Sequence, residues 1–298
     1  MRNEIAEMRN AAGDGFGPSA MASLMDYDSY ALLQKRYSRA VGNDYLMPPE
    51  LRKRFDCCAI SVAADDKALF LFERREGFTK LHFRLLDSSA KLEPGAGAVA
   101  KSGADSRGKA RAGAGPEARS ELGLGKETGV LAAFLTFREN RFPEAAANWL
   151  LGQGFRKTLS FRRLTATSLI GDLSLDGVEN ISADEAYAFF GEHFGAVEAD
   201  LPCRELFEDA LCIRGRDGEL LGAVYVGQML IVAVAPEARG HGLGSRLYRA
   251  CAATKARDVK NPVFHEWIKP DNAPSLAMLK GLGFSMDNVL TEGYVLAP

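Results

Sequence analysis

No uncharged apolar run in these 298 residues approaches the roughly 18 needed to cross a bilayer as a helix, so no membrane span is expected. The opening residues, Met1-Arg2-Asn3-Glu4-Ile5-Ala6-Glu7, carry charges where a secretory leader would need an apolar core, and a cytoplasmic location is expected. Cysteine is scarce. Five are present (Cys57, Cys58, Cys203, Cys212, Cys251), odd in number and without the paired spacing of a zinc site, which fits free thiols in a reducing compartment and implies no metal. The basic excess of a nucleic-acid binder is also missing, since the formal net charge is −2. Residues 166–298 hold 11 Lys and Arg against 19 Asp and Glu, whereas residues 1–165 hold 26 against 20. An acidic surface concentrates cationic small molecules, so the second half leans towards an amine acceptor and away from nucleic acid.

Two stretches lack the pattern of a folded core. Residues 1–24, with Gly13, Gly15, Gly17 and Pro18 close together, show neither helical nor strand periodicity and read as a disordered tail. Residues 93–128 are mostly Gly, Ala, Ser and charges and bury too little to offset ordering entropy, so they read as a disordered surface insertion.

The whole chain is 47% apolar, enough for two cores, which places one domain at 25–165 and a second at 166–298. In the first, a helix is expected over 26–55, strands over 59–62, 68–73 and 80–86, then a strand at 130–137, a proline-opened helix at 143–151 and a strand at 158–164. The second repeats that order: helices at 184–194 and near 203–207, a hairpin around Arg216-Asp217-Gly218, a strand at 229–234, a long helix, a strand at 263–268, a short helix and a last strand. Residues 143–155 align without gaps on 272–284, with Leu150 on Leu279, Gly152 on Gly281 and Gly154-Phe155 on Gly283-Phe284. That alignment suggests two related domains.

The chemistry-bearing stretch follows the apolar run Leu230-Ile231-Val232-Ala233-Val234-Ala235-Pro236. Its proline stops the strand, and Arg239-Gly240-His241-Gly242-Leu243-Gly244-Ser245 opens a helix with Leu243, Leu247, Ala250 and Cys251 on one face. Glycines at a helix N-terminus let unpaired backbone N–H groups and the positive dipole end approach an anion closely. A dinucleotide fingerprint would need glycine where Ser245 stands, and the one comparable Gly-Lys pair, Gly125-Lys126, is followed by Glu127 and not by the hydroxyl of a nucleotide-hydrolysing loop.

Val234, Pro236, Arg239, Gly240, Gly242 and Gly244 match the central motif of the GNAT superfamily of N-acetyltransferases, and Asn272, Ser275, Leu279 and Gly283-Phe284 resemble its second motif some thirty residues on. The resemblance covers 166–298 well. In the first half it reaches only the element order and Gly154-Phe155, so that half reads as a degenerate GNAT-like domain without cofactor. The fold implied is α/β of the α+β type: two GNAT-like domains, each a mixed, mostly antiparallel twisted sheet with helices on both faces. The activity implied is transfer of an acetyl group from acetyl-CoA, as co-substrate, to a small-molecule amine by direct attack in a ternary complex. The alternatives are a non-catalytic acyl-CoA-binding or sensing module, and a transferase acting on protein or using longer acyl chains. The resemblance assigns Val232, Ala233, Val234, Arg239, Gly240, His241, Gly242, Leu243, Gly244, Ser245 and Asn272 to the cofactor. Within that set His241 is a spacer, Arg239 pairs with phosphate or caps the loop, and Asn272 also suits a helix N-cap.

An ammonium acceptor must lose a proton before it attacks, which calls for a base. Glu266 is favoured and His265 is its alternative, because a carboxylate in an apolar strand is costly unless used or paired; Glu219 and Asp271 are further candidates. The tyrosine that the family often uses to protonate departing coenzyme A is replaced by Leu279, leaving Tyr294 or Tyr248 as candidate acids. The first half is expected to shape the acceptor cleft, and the oligomeric state is open.

Overall fold

A computed structural model describes residues 26–37, 40–43, 52, 54–55, 60–64, 66–75, 78–92, 130–194, 210–225, 231–258 and 262–296. The tail at 1–24, the insertion at 93–128 and the helix expected near 203–207 lie outside these residues.

The first half runs α1 (Tyr27–Arg36), β1 (Val41–Gly42), β2 (Ile60–Ala64), β3 (Ala68–Arg74), β4 (Thr79–Leu85), β5 (Leu131–Arg138), α2 (Glu144–Gly152) and β6 (Arg156–Ala166). The second runs β7 (Glu179–Ile181), α3 (Ala183–His193), β8 (Ala210–Arg214), β9 (Leu220–Tyr225), β10 (Ile231–Val234), a 3-10 turn (Pro236–Ala238), α4 (Leu243–Asp258), β11 (Phe264–Ile268), α5 (Ala273–Gly281) and β12 (Ser285–Leu296). The helix expected over 26–55 is shorter than its sequence suggests. Asp26 caps α1 by accepting from the Ser29 N–H (2.8 Å), the helix ends at Arg36, and the chain turns into β1.

Each half has helices on both faces. In the first, α2 lies on one face, where Trp149 sits 4.7 Å from the Phe83 ring and 5.7 Å from Phe70 and donates its indole N–H to Ala90 O (2.8 Å); α1 covers the other through Tyr30. In the second, α3 packs Phe189 and Phe190 near Cys212 and Ala223, while α4 and α5 cover Leu211, Ile213 and Val224 on the opposite face. Among the described strand pairs, β4–β5 is the parallel one, over Thr79–Lys80 on Leu131–Ala132, and the others are antiparallel.

The internal repeat is preserved in geometry. α2 and α5 both span nine residues at the aligned positions, and each ends in the same cap. Phe155 N–H donates to Leu150 O (3.1 Å) and Phe284 N–H to Leu279 O (3.0 Å). Between them Gly154 and Gly283 sit at φ +90° and +96°, a left-handed turn open to glycine at little cost. The strands that follow, β6 and β12, start at the same offset.

Those two strands are exchanged. β12, the end of the chain, pairs with β5 from Val289↔Arg138 to Leu296↔Leu131 and on its other side with β6. β6 in turn pairs with β11 from Phe264↔Ala166 to Ile268↔Arg162. One sheet of order β11-β6-β12-β5-β4-β3-β2 therefore runs through both halves, with β1 added beside β4, while β10-β9-β8-β7 form a separate sheet.

Candidate functional site

The loop after β10 is shaped by two left-handed glycines, Gly240 (φ +80°) and Gly242 (φ +76°), where a Cβ would be strained even though the space around it is open. Gly244 serves packing: a Cβ there would stand 2.9 Å from Met278 Sδ of α5. The backbone N–H groups of Gly240, His241, Gly242, Leu243, Gly244 and Ser245 donate no hydrogen bond among the described residues, and the ladder of α4 starts only with Arg246 N–H to Gly242 O (3.1 Å). Six successive free donors at the positive end of a 16-residue helix are an arrangement that suits an anion. Arg239 donates from Nε to Val234 O (3.1 Å), so it ties the loop to the strand.

Among the described residues β10 has a free edge. Ala235 N–H donates to Leu221 O (2.9 Å) beside β9, so by strand alternation Ala233 also faces β9 while the main-chain groups of Val232 and Val234 face away from it. On that open side Arg239 occupies Val234 O, leaving Val232 N–H, Val232 O and Val234 N–H. The next strand in the family-like order, β11, belongs to the other sheet and among the described residues pairs only with β6. Both strands lie under α4, since Val232 and Val234 join Leu247, Tyr248 and Cys251 in the same core as Phe264 and Ile268. Among the described residues β10 and β11 thus lie under one helix without pairing, which leaves a gap between the two sheets.

The same gap in the first half is filled by the chain itself. β4 pairs with β5 only at Thr79 and Lys80, then diverges. Into the opening come β1, with Val41↔Leu85 and Gly42↔Arg84, and Asn43, whose amide donates to Leu81 O (2.9 Å) and accepts from Phe83 N–H (2.7 Å). Asn43 is buried, and a Cβ on Gly42 would stand 2.0 Å from Phe83 O. The edge of β4 on that side is thus taken by β1 and Asn43.

Residues 176–284 match the family model described as Acetyltransferase (GNAT) family. This segment is a GNAT-family acetyltransferase domain. The fold of the whole chain is similar to that of a Drosophila protein at 17% identity, TM-score 0.54, with 91% of this chain and 97% of that one covered. It is also similar to a candidate acetyltransferase from Pyrococcus horikoshii at 9% identity, TM-score 0.51, with 96% and 92% covered. A tandem GNAT protein from the clavulanic acid biosynthesis pathway aligns at 14% identity and TM-score 0.49 over 92% and 97%. No curated protein matches the chain. The family match makes residues 176–284 an acyltransferase domain, and the chain as a whole shares its fold with these structures. No helix among the described residues is long and apolar enough to cross a membrane.

Several residues singled out from the sequence lie elsewhere than expected. Glu266 is not placed to act as the base. Strand alternation turns it inward beneath α4, where it is buried, its Oε2 has no hydrogen-bond partner, and burial pushes its carboxyl well above the usual carboxylate range. It bonds Tyr248, whose hydroxyl burial also pushes up, and beside it Cys251 is pushed up to about 12, chiefly by burial. Its place in the core is that of a structural acid held towards its protonated form. Tyr294 is not near the loop either: the strand exchange carries it into the core of the first half with Trp149 and Phe155, where its OH donates to Glu292 (2.7 Å). Along β6 its level at Lys157 is about 23 Å from the level of Glu266 at Leu164, at ~3.3 Å per residue. Asn272 caps α5 by accepting from Ser275 N–H (3.2 Å), and Ala233 buries its side chain against α3. Leu279 is fully buried, and Glu219 accepts from Asp217 N–H within its own turn.

The Glu266 finding carries a prediction. The folded chain holds the Glu266 proton above pH 4.5 while the unfolded chain releases it, so this group lowers stability as pH rises above that value. Glu266→Gln is expected to raise the melting temperature, by an amount that grows between pH 5 and 8, and to change kcat/KM by less than about threefold, or ~0.7 kcal/mol. Thermal melts at several pH values and steady-state rates on the same protein check both halves of that expectation.

Proposed function

We propose that residues 166–298 move an acetyl group from acetyl-CoA to the amine of a small molecule by direct attack in a ternary complex. The observation that carries the reading is the run of six free amide donors from Gly240 to Ser245, placed where the open edge of β10 begins. In this reading those amides hold the pyrophosphate of the co-substrate, with His241 and Leu243 contributing only their main chain. Val232 and Val234 receive the pantetheine arm along the free strand edge, as a further strand would. A free N–H of this edge stabilises the negative charge that develops on the thioester oxygen. The coenzyme leaves as a thiolate of ordinary thiol acidity, near about 8.5, which makes the leucine at position 279 tolerable. Arg239 and Asn272 act on the site through the loop and the helix cap.

The first half, 25–165, is in this reading a degenerate partner that binds no cofactor, because β1 and Asn43 already occupy its strand gap. The excess of acids in the second half supports a cationic acceptor over nucleic acid. A second reading, an acyl-CoA sensor without turnover, draws support from the buried Leu279 and the buried Glu266.

Calorimetric titration with acetyl-CoA, followed by free-thiol release with a panel of primary amines (ethanolamine, glycine ethyl ester, phenylethylamine, spermidine), tests the proposal. Binding with amine-dependent thiol release is expected. Binding without release favours the sensor, turnover only with longer acyl chains moves the reading to that class, and no binding overturns both.

A further inference from the structure

Resting on the acyl-transfer reading above, we infer that His265 is the group that takes the proton from the acceptor amine. β11 alternates Phe264, Glu266 and Ile268 towards α4 and α5 with His265 and Trp267 on the opposite face, so the two neighbouring candidates in the sequence point to opposite sides of one sheet. Glu266 is sealed in the core; His265 is only partly buried and stands on the strand whose free edge borders the gap beside β10. The imidazole is on the gap-flanking strand without being locked into the packing beneath α4.

Its surroundings suit a base. The cross-strand partner of His265 is Thr165, whose hydroxyl donates to Asp287 Oδ2 (2.8 Å), and the same carboxylate accepts from Arg163 Nε (2.7 Å) and pairs with its terminal nitrogen (2.6 Å). Arg163 lies over the Trp267 ring at 5.7 Å, so the face is held rigid around the histidine. His265 Nδ1 is buried with no hydrogen-bond partner, and Nε2 makes no hydrogen bond among the described residues and is not sealed from solvent. No hydrogen bond is thus spent that would have to break before a proton is accepted. The charged groups acting on the ring are Arg163 of β6, Asp287 of β12 and Lys255 of α4; burial, then Arg163, with Lys255 in the same sense, holds it below the ordinary imidazole value, while Asp287 opposes them. The ring is neutral at neutral pH and able to accept. Arg163 and Asp287, which act on the ring, also line a pocket of about 620 Å³ completed by Arg138, Glu139, Asn140, Asn288 and Val289, which could hold the remainder of an acceptor.

The step balances without a further reactant. The acceptor ammonium gives one proton to His265; its freed lone pair forms the C–N bond at the thioester carbon and the C–S bond breaks with its electrons on sulfur. The second nitrogen proton, lost as the intermediate collapses, neutralises the thiolate, and the imidazolium returns its proton to solvent.

The test uses the full chain and the fastest amine of the panel. His265→Gln is expected to keep acetyl-CoA affinity by calorimetry, to lose kcat/KM by about 10²-fold or more, and to lose the acidic limb of the pH–rate profile, which in the wild type lies on the acid side of the ordinary imidazole value. His265→Ala is expected to regain part of its rate with added imidazole. Either variant keeping the wild-type limb overturns the assignment, as does loss of acetyl-CoA binding by both, which would mark a structural histidine. A wild type that binds acetyl-CoA but never releases thiol overturns the acyl-transfer reading itself, and this inference with it.

Discussion

Gly242→Glu is expected to weaken acetyl-CoA binding by about 10²–10³-fold, while Gly242→Ala leaves it within about tenfold. The contrast separates charge from conformation. Both variants place a Cβ at φ +76°, which costs the fold about 1–2 kcal/mol, but nothing stands within 4 Å of that Cβ, so neither meets a clash. Only the glutamate brings a carboxylate into the loop. A unit charge about 4 Å from a phosphate oxygen at an effective dielectric of ~20 opposes it by about 4 kcal/mol, roughly a thousandfold in Kd. Because the loop is open to solvent, the effect should shrink as salt is raised. Calorimetry of the three proteins at two ionic strengths reads this directly. Equal weakening by both variants would show that loop shape, and not anion contact, sets the affinity, and the pyrophosphate assignment would fail.

The loop was legible in the sequence because all its determinants are local. Pro236 stops the strand, Gly240 and Gly242 sit where the chain must turn left-handed, and the apolar period of α4 begins at once. The Gly-Phe closures were legible for the same reason: each is one helix cap, fixed by a glycine in the left-handed region and a main-chain bond across six residues. At Gly244 the sequence hides a second reason for glycine, since the neighbour that leaves no room for a Cβ, Met278, lies 34 positions away.

The strand partners were not legible. β6 and β12 were recognisable as strands, but an alternating apolar pattern has a period and no address; it cannot say which edge a strand joins. Their exchange decides where Tyr294 goes, and it takes that residue from the acyl-transfer site to the core of the other half. The choice between His265 and Glu266 had the same origin. Alternation tells that they face opposite ways, but only the packing of α4 on Phe264 and Ile268 says which way is inward. The first half hid its gap-filling segment because β1 is two residues long, inside a stretch whose composition suits a helix.

A chain ending at residue 284 is expected not to fold in either half. β12 lies at the centre of the long sheet, so its removal strips β5 of its antiparallel partner and β6 of one of its two at once. Gone with it are Tyr294 from the first core, the Thr136–Thr291 bond (2.8 Å), the Lys157–Glu292 pair and the Asp287 carboxylate that ties Arg163 to Thr165. Burial of one large aromatic is worth about 3–5 kcal/mol and each buried main-chain bond about 1, so the loss exceeds the ~5–15 kcal/mol that holds a typical domain. The exchange makes the reverse cut as damaging: a fragment of residues 166–298 lacks β6, and with it the partner of β11 on which His265 stands. Neither fragment alone should melt cooperatively, whereas fragments 1–165 and 166–298 mixed together should recover a cooperative transition and acetyl-CoA binding, because each supplies the strand the other lacks. Circular dichroism melts of the pieces and of the mixture decide the matter. A 166–298 fragment that folds and binds by itself would mean that the second half closes its own sheet, and that the exchanged strands join two units already complete.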